Sequence, residues 1–161
     1  MRLSEAGLNG DTVRVHVDAA CRGNHLGGRS GRVGLGVVVR PPGGEVEEFF
    51  ETLPDPATNN IGEYHAVTRG IEIATGKYPN LRVLVYSDSK LVVETVRGHW
   101  RCRAEHLKPL VDRIQALCAA HEASVSVLWL PRDTTGQQMA DALANKALDT
   151  IGEIDAPEIH T

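Results

Sequence analysis

The sequence predicts an α/β protein on a mixed five-stranded sheet, in the order βββ-α-β-α-α-β-α, with helices on both faces. Three observations predict it. Three β-patterned stretches come first, joined by connections too short for a crossover helix, so they pair antiparallel. Two later apolar, β-branched stretches alternate with segments of helical period, which sets them as crossover-connected strands of the same sheet. Finally, 161 residues with a hydrophobic fraction of 42% suit one packed domain.

Residues 13–20, VRVHVDAA, alternate around Val13, Val15 and Val17 and form the first strand. A Gly-rich loop follows, then VGLGVVVR (33–40), whose Gly34 and Gly36 imply close packing or a bulge. PPGGE is a turn and VEEFFETL (46–53) the third strand. From Asn60 the period changes: Asn60 and Glu63 have capping-box spacing, and Val67, Gly70, Ile71 and Ala74 make a helical stripe ending near Pro79. LRVLVYSD (81–88) has the apolar character of a central strand. Ser89 to Val96 is a short helix. Leu107, Leu110, Val111, Ile114, Leu117 and Cys118 space themselves along one face of a longer one. SVSVLWLP (124–131) is the fifth strand, stopped by Pro131. A polar loop, RDTTGQQ, leads into the helical MADALANKALD, with Ala140, Leu143, Ala144 and Ala147 on one side. Residues 1–149 thus read as a single domain, and 150–161, without periodicity, as a flexible tail.

With 4% aromatic residues, the core must be built from Val, Leu, Ile and Ala. No apolar run approaches the ~20 residues that span a bilayer. Glu5 and Asp11 interrupt any secretory signal, and Cys21, Cys102 and Cys118 suggest neither a disulfide framework nor a CxxC metal site. A cytoplasmic protein without a membrane partner is the expectation. The net charge of −4 excludes a generic basic coat for polyanions, yet basic residues cluster. Arg22, Arg29, Arg32 and Arg40 fall in a stretch without acids, and Arg97, Arg101, Arg103 and Lys108 in another with Glu105 alone. Such patches suit a phosphate-binding face, against the plainer reading of solvated surface charge.

Four acids stand in costly places. Asp18 follows Val17 at the end of the first strand, and Asp88 closes the fourth. An unpaired buried carboxylate is expensive, and the carboxyl ends of strands are where α/β sheets bind ligands. If the strands are neighbours, the two acids lie side by side and need a cation. Glu63, in the first turn of its helix, either caps Asn60 or turns back toward the sheet as a third ligand. Asp141, early in the last helix, either complements the helix dipole or joins the rim of the same site. Three aspartates and a glutamate without clustered His or Cys form a hard-oxygen set suited to Mg²⁺ or Mn²⁺.

Read together, Asp18-Ala19-Ala20-Cys21-Arg22-Gly23-Asn24, Thr58-Asn59-Asn60-Ile61-Gly62-Glu63, Tyr86-Ser87-Asp88-Ser89, and Trp129-Leu130-Pro131-Arg132 with Ala140-Asp141-Ala142-Leu143-Ala144-Asn145 resemble, in order, the segments of type 1 ribonuclease H. The resemblance covers about 13–149 and implies the ribonuclease H-like fold. It implies an endonuclease hydrolysing the RNA strand of RNA–DNA hybrids with two metal ions, Mg²⁺ or Mn²⁺, leaving 5′-phosphate and 3′-hydroxyl ends. It makes Asp18, Glu63, Asp88 and Asp141 catalytic ligands, with Asp18 between the ions. It places Asn24, Thr58, Asn59, Lys90 and Trp100 along the hybrid, Thr58 in a DNA-phosphate pocket, and gives Arg132 a part in handling product phosphate. All four acids lie in one chain, so a monomer suffices and no obligate protein partner is implied.

Departures from the family pattern carry expectations too. Ala19 replaces the usual glycine, and the loop before Asp141 has no histidine. The connection Gly98–Ala104 is short, where many members have a long basic protrusion, so binding should be weaker and salt-sensitive. Two other classes compete: a silent module binding hybrid or double-stranded RNA, and a related nuclease acting on DNA junctions or single strands.

Overall fold

The protein is described here by a computed structural model covering residues 10–23, 30–121 and 123–159, with residues from 151 onward given as backbone only. The strands are β1 (Thr12–Arg22), β2 (Arg32–Arg40), β3 (Glu47–Thr52), β4 (Arg82–Ser87) and β5 (Val125–Trp129). The helices are α1 (Asn59–Lys77), α2 (Lys90–Val96), α3 (Lys108–Ala120) and α4 (Thr135–Ile159), with a 3-10 turn at Glu105–Leu107 before α3. The five strands form one mixed sheet in the order β3-β2-β1-β4-β5. β1 runs antiparallel to β2 and parallel to β4, so the two topological halves of the sheet meet at β1. The predicted fold class is the observed one.

β1 carries side chains to both faces, and both are covered. Val13, Val15 and Val17 are fully buried, and the core continues through Val83, Val85, Val127, Ile71 and Ile114. Burying each such side chain contributes about 1.5–3 kcal/mol, which makes this valine-rich centre the main source of stability. α1 approaches one face closely because it presents Gly62 and Gly70. A Cβ on Gly62 would stand 2.6 Å from Val33, and one on Gly70 the same distance from Val17. α4 covers the other face over β1 and β2. There Gly34 and Gly36 are what let it close in, since a Cβ at either would strike the carbonyl oxygen of Ala144 or Ala140. β2 stays in unbroken register through both glycines, so close packing, not a bulge, accounts for them.

Several boundaries differ from those read in the sequence. β1 does not end with Asp18 but stays paired to β2 as far as Arg22↔Arg32. Asp18 lies instead where β1 runs past the end of β4, which stops at Ser87. The last helix begins at Thr135, inside the predicted polar loop, and its backbone continues to Ile159 across the segment expected as a tail. The cap of α1 is Thr58, not Asn60: its side chain accepts from the Ile61 amide at 3.1 Å. The cause is tertiary. Gly31 and Ala57 exchange two backbone hydrogen bonds of 2.9 Å, which hold the chain extended up to Thr58 and leave the helix to start directly after it. Cys118 is half-buried against the core, and all three cysteines are free. None of the helices among the described residues is long and apolar enough to cross a membrane.

Candidate metal centre

The parallel pairing of β1 with β4 builds the centre. Val15 lies opposite Val85 and His16 opposite Tyr86; carried two residues on, that register sets Asp18 beside Asp88. Past Ser87 the chain turns under tight control. The Ser87 hydroxyl accepts from the Ser89 amide at 3.0 Å, Ser89 caps α2, and the Trp129 indole donates to the Asp88 carbonyl at 3.2 Å. Glu63 comes from the second turn of α1 and is buried. The close approach that Gly62 gives the helix brings its carboxylate to the sheet. Asp18, Glu63 and Asp88 each offer an oxygen within 4.8 Å of the others. Asp141, on α4, lies against Asp18 and lines the same cavity.

The electrostatics of this cluster are those of a site that needs a cation. Burial, and then the charge of Asp88, push the Asp18 carboxyl up to about 8. Glu63 is raised well above the ordinary carboxylate range, first by burial and then by Asp18 and Asp88. Asp88 is raised by burial, against the opposing pull of the Arg132 guanidinium. One oxygen of Glu63, Oε1, is buried without any hydrogen-bond partner. Such an orphaned acceptor is costly, so its persistence inside a triad of carboxylates points to an ion as the missing partner. The helix is capped by Thr58, and the Glu63 carboxylate turns inward to the acids of the sheet.

The cavity over these acids has a volume of about 480 Å³ and is also lined by Asn59, Arg132, Asp133 and Gln138. Asp133 and Gln138 were not singled out in the sequence, where a polar loop carries no signal of which residues face a cleft. Lys90 lies over the Trp129 ring, 5.8 Å from its centroid, beside Asp88. Trp100 is 45% exposed and not a core indole. It lines a neighbouring hollow of about 630 Å³ with Asn60, Tyr64, His99, Arg101 and Arg103. In the first arginine cluster, Arg22 pairs with Asp149, 2.6 Å away. Arg97, in the second cluster, is tied to the Val127 carbonyl. Asn24 and Arg29 lie outside the described residues.

Comparison with known proteins gives a consistent picture. The profile of the family described as reverse transcriptase-like matches residues 18–147. The chain is 32% identical over 147 residues to the bifunctional protein Rv2228c of Mycobacterium tuberculosis, with 91% of this chain aligned. It spans 38% of the length of that relative. Among solved structures, RNase H1 of the halophilic archaeon Halobacterium salinarum superposes with a TM-score of 0.75 at 30% identity, over 86% of this chain and 98% of that one. LC11-RNase H1, solved in complex with an RNA/DNA hybrid, superposes with a TM-score of 0.74 at 25% identity, over 86% of this chain and 98% of its own.

Proposed function

Because this chain belongs to the type 1 ribonuclease H family, we propose that it is an endonuclease that hydrolyses the RNA strand of RNA–DNA hybrids with divalent metal ions. The observation that carries the reading is the buried triad Asp18, Glu63 and Asp88, with its orphaned Glu63 oxygen, at the floor of an open cavity. The donor set fits Mg²⁺ or Mn²⁺, because every donor is a carboxylate oxygen. Two ions would be held with Asp18 common to both, Glu63 and Asp88 completing one site and Asp141 the other. When bound, such ions supply positive charge to the attacking water and to the departing 3′ oxygen, leaving 5′-phosphate and 3′-hydroxyl ends.

The chain's own residues do the rest. Asp18, raised to about 8, would gain from that charge, and its place between Asp88 and Asp141 suits it to the role of common ligand. Arg132, close enough to act on Asp88, offers a guanidinium at the cavity wall where a scissile or product phosphate would sit. Asn59 reaches the cavity from the first turn of α1 and, with Asn24, is suited to RNA 2′-hydroxyls, the group that separates RNA from DNA. Trp100, with Arg101 and Arg103 in the adjoining hollow, offers an aromatic face and cations for the other strand. Thr58, at the start of α1, and Lys90, at the start of α2, complete the set that would meet the hybrid. Recognition of this kind reads backbone and shape, so sequence preference should be low.

The test is a labelled RNA–DNA hybrid, an RNA duplex and a DNA duplex, each incubated with Mg²⁺, Mn²⁺ or chelator. Metal-dependent loss of RNA from the hybrid alone is the expected result. Binding of hybrid without cleavage in either metal would replace the nuclease with a silent binding module. Cleavage of DNA junctions or single strands would move the substrate to the related class.

A further inference from the structure

On β1, His16, Asp18 and Arg22 share one face of the strand, because side chains alternate. On α4, Gln137, Asp141, Asn145 and Asp149 recur every fourth residue and share one stripe. Two strand residues advance about 6.6–6.8 Å and four helix residues about 6 Å, so the two series keep step for several rungs. The lower rung joins His16 Nδ1 to Gln137 Oε1 at 3.0 Å. The upper rung joins Arg22 to Asn145 Oδ1 at 2.9 Å and to Asp149 at 2.6 Å. The middle rung is Asp18 against Asp141, two acids whose charges repel once both are ionised.

We propose that the two outer rungs are positioning devices that hold Asp141 against Asp18, so that the second ion site is built before any ion arrives. The proposal rests on the two-ion reading above.

The lower rung is the stronger. Gln137 is 1% exposed and His16 5%. The Gln137 amide donates to the Val17 carbonyl at 3.1 Å, so its oxygen is the acceptor and the histidine donates from Nδ1. Gln137 thereby grips the side chain and the backbone of the two residues directly before Asp18. The imidazole cannot swing away, since it stacks on Tyr86 with ring centroids 5.1 Å apart. On its other side Gly136 leaves no room, as a Cβ there would fall on the ring. The upper rung reaches Asp141 itself: the Asn145 amide donates to its backbone carbonyl at 3.0 Å and lies 3.4 Å from its carboxylate. Neither Gln137 nor Asn145 reaches the cavity wall, so each acts through the ligand it holds.

The measurement is Mn²⁺ binding by calorimetry on the full chain, without nucleic acid, for wild type, Gln137→Leu, His16→Phe, the double variant and Asn145→Ala. Partners behind metal ligands typically matter by about 10–100-fold in metal affinity. The weaker of two Mn²⁺ dissociation constants should therefore rise about 10-fold or more in Gln137→Leu and in Asn145→Ala. The double variant should be no worse than Gln137→Leu, because the hydrogen bond lost in His16→Phe, that between His16 and Gln137, is already lost in Gln137→Leu. If Gln137→Leu fails to fold, Asn145→Ala, which alters only the partly exposed rung, carries the test. Variants that melt earlier but bind both ions with wild-type constants overturn the proposal, and so do additive losses in the double variant. A wild type that binds two Mn²⁺ ions but leaves hybrid uncut fails the nuclease reading alone and leaves the rungs standing.

Discussion

Asp18 sits among carboxylates that oppose its charge, with Asp88 and Asp141 both acting on it. In the metal-free protein its carboxyl is raised to about 8, above the ordinary 3.8, so between those values the folded state holds a proton that the unfolded chain has lost. The folded state then binds more protons than the unfolded one, and stability falls as pH rises. Glu63 is shifted in the same direction and adds to the fall. The melting temperature of the chelated protein should therefore decline between pH 5 and about 8, and Mg²⁺ at pH 8 should restore it. A melting temperature in chelator that rises over this range would contradict the arrangement. Asp18→Asn should raise the stability of the metal-free protein at pH 8 while abolishing cleavage, because the repulsion and the ligand disappear together. Asp88→Asn should reduce hybrid cleavage by at least about 100-fold, since even partners behind a ligand matter by 10–100-fold. Its circular dichroism should stay unchanged; wild-type turnover in that variant would remove Asp88 from the site. Asp18 and Asp88 stood out in the sequence because acids are rare in valine-rich strands, and Glu63 through its place in the first turn of a helix and the motif Thr58–Glu63. Gln137 was not, because nothing in a polar loop distinguishes a buried amide from a solvated one.

Among the elements, β2 and α4 depend most on a single residue type. Gly34 and Gly36 bring the helix backbone down onto the sheet, and Asp141 comes with it. Gly36→Ala must push α4 outward, at a cost of about 1–3 kcal/mol for overpacking. The urea midpoint should fall accordingly, and cleavage should fall further than the lost folded fraction explains, because the helix carries Asp141. Equal losses in the two would mean that the helix tolerates the shift. The cap of α1 behaves differently: Thr58→Ala should cost about 1 kcal/mol and loosen the turn that presents Glu63. Both glycines could be read as marks of close approach, but their partner could not. The cap was misplaced by two residues because Thr58 and Asn60 are both good caps. The choice between them is made by the Gly31–Ala57 bridge, a pairing distant in sequence. The same holds for α4, whose first turn forms where Gln137 finds His16, not where the apolar period begins.

At the scale of the whole molecule, a protein of net charge −4 that binds a hybrid, as proposed, would have to do so through local fields. Among the described residues, the Trp100 hollow with Arg101 and Arg103 is a cationic region beside the acids, whereas Arg22 and Arg97 bond to other parts of the chain. Hybrid affinity should fall steeply with salt. Replacing Arg101 and Arg103 by Ala should weaken binding and reduce the logarithmic salt slope by about 1 for each phosphate these arginines neutralise. A slope unchanged in that double variant would place the duplex elsewhere. The overall topology was legible because its period changes are sharp, strand to helix to strand. The division of labour among the arginines was not, since charge in a sequence does not say which cations already have partners.

β1 and its antiparallel neighbour β2 are made early, and the parallel neighbour on the working side, β4, comes later in the chain. Asp18 waits for Glu63, then Asp88, then Asp141. At ribosomal speed the interval from first to last is on the order of ten seconds. Throughout that interval the growing chain holds some of the four acids but not the complete set, and the last piece to arrive is the helix that closes over β1. Under the nuclease reading proposed above, the ability to cut a hybrid would therefore begin only once the last of the four acids has been made and its helix has folded into place.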